Sequence, residues 1–166
     1  METKRTNRLK SVAEVGKSIE RFYEELRQAP AQGKMVCWCD GFPITFPILR
    51  AHDIPYLFGD AYAATMSAKH LEKEVQQVAE DRGYLREDCS YTRTTMAAAL
   101  FPDERRKDTN PMNDMPKPDF IVVVDAGCSM LVNWGDAERR HFKVPFFVMQ
   151  AQHSWEPNSH EDAIRD

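Results

Sequence analysis

Six consecutive residues, Phe120-Ile-Val-Val-Val-Asp125, form an unbroken apolar run, mostly β-branched, that ends on a carboxylate. A run without alternation suits a strand covered on both faces, as in a parallel sheet, rather than one with a wet side. Ser129 to Phe142 follows with a helical pattern, and Val144 to Gln150 reads as another buried strand whose early proline marks its start. Strand, helix and strand in that order make a βαβ unit, right-handed by default.

The remainder of the chain keeps the same alternation. Apolar residues Val12, Val15, Ile19, Phe22, Tyr23 and Leu26 recur at three- and four-residue spacing, predicting an amphipathic helix over Ser11–Ala29 that Pro30 and Gly33 end. Met35–Cys39 and Ile54–Phe58 are short strand candidates, with a short helix between them over Ile44–Ala51. Met66–Arg82 reads as one helix stopped by Gly83, and Ser90–Leu100 as another. The proline-rich, charged stretch from Phe101 to Pro118 reads as a loop or crossover. The expected fold is a doubly wound α/β domain with a mainly parallel sheet. Residues 1–30 would form an N-terminal helix, 31–156 the sheet domain, and 157–166 the start of a helix. Ser159 is an N-cap candidate followed by acids, and the chain stops within about two turns of it, which is the pattern of a truncated helix.

With 166 residues, 42% of them hydrophobic and 29% charged, the chain can bury one core. The mild net charge of −4 gives no reason to expect a nucleic acid or an anionic membrane as partner. No stretch approaches the roughly 18–20 apolar residues of a membrane span, and the charged N-terminus has no apolar segment behind it. A cytoplasmic location is expected. There, four cysteines are thiols or metal ligands rather than a disulfide framework.

Cys128 follows the Phe120–Asp125 strand at the start of the next helix, where ligands of open parallel sheets bind. Helix-start amides favour a thiolate, and Gly127 permits a tight turn and close approach of a cofactor. Position alone leaves open both a ligand and a small buried hydrophobe. Cys89 also precedes a helix, among charged and polar residues that are unusual company for a packing cysteine. Cys37 and Cys39 share one face of a strand and lack the turn of a metal knuckle, so they read as packing, with Cys39 nearer the strand end. His52, His70 and His141 read as surface residues; His153 is placed where it would line the crevice, though an ordinary loop histidine is the better reading.

Several stretches, taken together, resemble the benzoyl-CoA reductase / 2-hydroxyacyl-CoA dehydratase D-component family. They are Glu87-Asp-Cys-Ser-Tyr-Thr-Arg93, Pro116-Lys-Pro-Asp-Phe-Ile-Val-Val-Val-Asp-Ala-Gly-Cys128, Asn133-Trp134, Arg140-His-Phe-Lys-Val-Pro145 and Val148-Met-Gln150. Gly33-Lys-Met-Val, Phe42-Pro43 and Ala51-His-Asp-Ile-Pro55 extend the likeness toward the N-terminus. The resemblance implies a flavodoxin-like, cluster-binding domain, the N-terminal one of a two-domain catalytic subunit. It also implies a [4Fe–4S] cluster held by three cysteines, two at positions matching Cys89 and Cys128 and the third from a second domain. One iron then lacks a protein ligand and is open to a thioester carbonyl. Asp40, Gly41, Phe42 and Gln150 are candidates for the substrate rim. Implied partners are a paralogous catalytic subunit, an ATP-hydrolysing electron-activating component and an acyl-CoA substrate. The chain itself has no phosphate-binding glycine loop.

Cys128-Ser-Met-Leu-Val-Asn-Trp134 and Phe147-Val-Met-Gln150 look most like a B-type benzoyl-CoA reductase subunit, which implies ATP-dependent dearomatisation of benzoyl-CoA. Dehydration of an (R)-2-hydroxyacyl-CoA by the same architecture is the alternative. A non-enzymatic flavodoxin-like module with buried cysteines is a third reading. A closed zinc site would need four ligands, and no compact set exists.

Overall fold

A computed structural model describes residues 9–41, 43–101, 115–126 and 128–150. Four strands, β1 (Cys37–Asp40), β2 (Tyr56–Phe58), β3 (Phe120–Asp125) and β4 (Phe146–Gln150), form one sheet in the order β2-β1-β3-β4. Every pairing is parallel, with Cys37 opposite both Tyr56 and Phe120, and Ile121 opposite Phe146. The chain winds outward from β1 to β2, then resumes on the other side at β3. The carboxyl ends of β1 and β3 therefore flank the switch point, where open α/β sheets hold their ligands.

Helices lie on both faces, so the doubly wound architecture read from the alternation is present. Among the described residues the α-helices are α1 (Lys10–Gln28), α2 (Thr45–Ala51), α3 (Gly59–Ala68), α4 (Glu72–Asp81), α5 (Ser90–Leu100) and α6 (Ser129–Phe142). Trp38, Ile121 and Val123 point to the face carrying α3, α5 and α6, while Cys37, Cys39 and Val122 point to the face where Leu49 and Phe46 of α2 and Phe22 of α1 pack. Residues 92–100 of α5 are all buried, which is why its pattern shows no polar side. Burying a core side chain such as Leu57, 1% exposed, contributes about 1.5–3 kcal/mol.

Three expectations are revised. The single helix over Met66–Arg82 is two helices, broken at His70, whose φ of +57° turns the chain while the Leu71 amide donates back to the Met66 carbonyl at 3.0 Å. The five-residue gap from Met66 to Leu71 is the mark of that break, because neither a three- nor a four-residue step bridges it. The apolar stripe of α1 is buried only toward its C-terminal end, at Leu26, whereas Leu9, Val12, Val15 and Ile19 are exposed. β4 is not buried: Phe147, Val148 and Met149 are all exposed on the edge of the sheet. No helix among the described residues is long and apolar enough to cross a membrane. The expected helix start at 157–166 lies outside the described residues, as does His153.

Candidate functional site

Both candidate ligands sit at the starts of helices on the carboxyl edge of the sheet. Cys128 is the N-cap of α6, directly beyond β3, and Cys89 is the N-cap of α5. The level of α5 is set by Thr95, whose hydroxyl donates to the carbonyl of Gly59, the residue that follows β2, at 3.2 Å. The turn of α5 bearing Cys89 therefore lies beyond the strand ends. Both cysteines are exposed and neither makes a side-chain capping bond, so their thiols and the first-turn amides face outward.

The two starts are neighbours. A cavity of about 230 Å³ is lined by Asp88, Thr92 and Arg93 from the α5 side and by Met130, Asn133 and Trp134 from the α6 side. Asp88 adjoins Cys89, and Met130 is two residues past Cys128. The cavity also runs down between the two helices to Tyr84, Met96 and Ala137, and neither Cys89 nor Cys128 is among its lining residues. Among the described residues no group of three or more His, Cys, Asp or Glu side chains converges. Two thiols on one edge match part of a thiolate ligand set.

Cys37 and Cys39 pack as expected, 0% and 1% exposed, on the α2 face away from the hollow. Their Sγ atoms donate to the carbonyls of Trp38 and Leu57, both at 3.3 Å. Bonding to Cys37, then burial, pushes the Cys39 thiol well up, so it stays protonated. His52, His70 and His141 are exposed.

The rim candidates divide. Gln150 ends β4 and is exposed on the carboxyl edge. Gly41 is half-buried with φ +94°, its amide held by the Asp60 carboxylate at 2.9 Å. A Cβ there would meet the Val124 carbonyl at 2.8 Å and the Leu131 side chain at 3.1 Å, which places this turn against the first turn of α6. Phe42 lies outside the described residues. Asp40 turns inward and is 3% exposed.

Sequence reasoning missed what Asp40 meets. Glu138, on the buried stripe of α6 with Leu131 and Trp134, is 0% exposed and accepts the Trp134 indole N–H at 2.8 Å. Burial pushes its pKa to about 8. Burial, followed by the charges of Glu138, Asp60 and Cys37, pushes Asp40 well up, against a hydrogen bond from the Gly59 amide. Asp40 Oδ2 and Glu138 Oε2 have no partner among the described residues, so protons on these acids are the favourable way to hold them. The signal was legible: a glutamate at four-residue spacing from Trp134, inside an apolar stripe, is out of place on a solvated face. Asp60, directly after β2, gave no such signal.

A larger cavity, about 600 Å³, lies between α1 and α3, lined by Ile19, Tyr23, Tyr62 and Thr65. Met115, which leads into β3, also lines it, and neither helix-start cysteine does.

No family model matches the chain. Among curated proteins it is similar to the lactoyl-CoA dehydratase alpha subunit of Anaerotignum propionicum, 25% identical over 135 residues, covering 76% of this chain and 32% of that protein. It is also similar to the (R)-2-hydroxyisocaproyl-CoA dehydratase alpha subunit of Clostridioides difficile, at 25% over 129 residues, 76% of this chain and 29% of that one. The (R)-phenyllactyl-CoA dehydratase alpha subunit of Clostridium sporogenes is 22% identical over 139 residues, 83% of this chain and 32% of that one. The chain spans about a third of the length of these relatives.

Proposed function

We propose that this chain is the cluster-binding α/β domain of a 2-hydroxyacyl-CoA dehydratase-type subunit, with Cys89 and Cys128 as ligands to a [4Fe–4S] cluster. The observation that carries the reading is the placing of two exposed thiols at adjacent helix starts on the carboxyl edge, their neighbours lining one hollow. The names of all three relatives support dehydration of a hydroxyacyl thioester over dearomatisation of benzoyl-CoA. The likeness of the Cys128–Trp134 stretch to a reductase subunit favours the reduction as the second reading.

The chain's own contribution is to hold and shield. Thiolates at 89 and 128 supply anionic donors, and the first-turn amides of α5 and α6 offset the added negative charge. A cluster bound there would supply single-electron chemistry and an iron site without a protein ligand. Trp134 and Met96, both buried, line the hollow and keep water from that side of it. The third thiolate, a paralogous subunit, an ATP-hydrolysing electron donor and the acyl-CoA substrate come from elsewhere in the assembled enzyme.

Anaerobic reconstitution with ferrous iron, sulfide and a small thiol to complete the ligand set tests the reading. Brown colour and cluster absorption are expected for the intact chain and for Cys37→Ala and Cys39→Ala. Both should be lost in Cys89→Ala and in Cys128→Ala. Absorption indifferent to the last two changes would sink the cluster assignment. Assay of the assembled enzyme with a 2-hydroxyacyl and an aromatic thioester then separates dehydration from reduction.

A further inference from the structure

We propose that Arg93, locked by Glu80, is a positioning residue that fixes the turn ahead of α5 and so sets where the Cys89 thiol stands. The purpose of this clamp rests on the reading of Cys89 as a ligand; its geometry does not.

Arg93 lies one turn into α5 and is 8% exposed, a costly place for a guanidinium unless its donors are met. Its Nε donates to the Asp88 carbonyl at 3.2 Å, and its Nη1 pairs with the Glu80 carboxylate of α4. Asp88 immediately precedes Cys89. The turn it closes is tied twice more: its carboxylate accepts the Leu85 amide at 3.2 Å, and its own amide donates to the Leu85 carbonyl at 3.1 Å.

One turn back along α4, Gln76 reaches the residue on the other side of Cys89. Its Nε2 donates to the Ser90 carbonyl at 3.3 Å and to Thr94 Oγ1 at 3.0 Å. The Ser90 carbonyl also accepts the Thr94 hydroxyl at 2.8 Å. Helix α4 thus grips the backbone both before and after Cys89, while the cysteine side chain makes no capping bond of its own. The gripping helix is itself anchored beyond Glu80. Gly83, at φ +95°, donates to the Glu80 carbonyl at 3.0 Å, and the Tyr84 amide donates to the Ala79 carbonyl at 3.1 Å. A guanidinium suits this post because one planar group meets a carbonyl and a carboxylate at once, which an ammonium on a flexible stem does less well.

The test is the alkylation rate of each exposed cysteine in the full-length reduced chain, resolved by peptide mass spectrometry. Cys128 lies outside the clamp on the same edge and serves as the internal reference. Arg93→Gln should speed Cys89 by roughly two- to three-fold, a modest gain because the thiol is already exposed and only the turn that carries it is freed, with Cys128 unchanged. Arg93→Lys should fall between that variant and the parent, and Glu80→Gln should move Cys89 in the same direction by less. Equal Cys89 rates in all folded variants would overturn the clamp, as would Cys89 and Cys128 accelerating together. If Arg93→Gln does not fold, Arg93→Lys and Glu80→Gln carry the test. A Cys89 rate that responds in a chain that never takes up iron and sulfide leaves the clamp standing and removes the cluster. A cluster that forms in a chain whose Cys89 rate ignores Arg93 does the reverse.

Discussion

At the scale of single residues, Asp40 and Glu138 give the domain a pH dependence opposite to that of ordinary surface carboxylates. Each acid has a folded-state pKa raised by burial, Glu138 from 4.5 to about 8. Between those limits the native state holds a proton that the unfolded chain has released. Their stabilisation is therefore complete below the unfolded value and is lost as pH rises toward the folded one. The slope reaches about 1.4 kcal/mol per pH unit for each fully coupled proton. Urea midpoints measured from 4.5 to about 8 should fall with pH in the parent chain and fall less steeply in Glu138→Gln. Parallel curves for the two would show that Glu138 is not protonated in the native state. The sequence marked Cys89 and Cys128 because each stands at a predicted helix start, and Asp40 as a rim candidate through the family resemblance. It did not show that Asp40 faces inward, because the direction of a residue at a strand end depends on what the following turn packs against.

Among the elements, α6 shows how closely the sheet end is packed. A Cβ on Gly135 would lie 2.6 Å from both the Phe146 ring and the Val123 side chain, and one on Gly59 would lie 2.2 Å from Asp40 Oδ1 and 2.7 Å from the Trp134 ring. Gly135→Ala should cost about 1–3 kcal/mol by overpacking, read as a lowered urea midpoint at unchanged slope. Unaltered stability would mean that α6 can lift from β3 and β4 freely. Elements with strong local signals were legible, β3 and α6 to the residue and α5 likewise. The α3–α4 break was hidden but for the five-residue gap from Met66 to Leu71, because an αL histidine at position 70 carries no glycine to announce it. The clamp on Cys89 was equally hidden, since Glu80 and Arg93 are thirteen residues apart on different helices.

For the whole molecule, the parallel sheet and the two-faced cover followed from alternation, whereas the uncovered surfaces did not. Apolar strands and stripes state a demand for burial without saying who meets it. Among the described residues β4 leaves Phe147, Val148 and Met149 exposed along an edge without a neighbouring strand, and such an edge is prone to add strands from other copies. Val148→Lys should reduce concentration-dependent association in sedimentation while leaving the urea midpoint within about 0.5 kcal/mol of the parent. Association unchanged by the lysine would place the sticky surface elsewhere, with the exposed stripe of α1 next in line. Helix α5, by contrast, is sheathed from Thr92 onward by α3, α4 and α6, with only its first turn emerging. A rod so embedded cannot slide or tilt without disturbing three neighbours. Any opening and closing around a guest molecule must then be done by whatever faces this wall, because the wall itself is stiff.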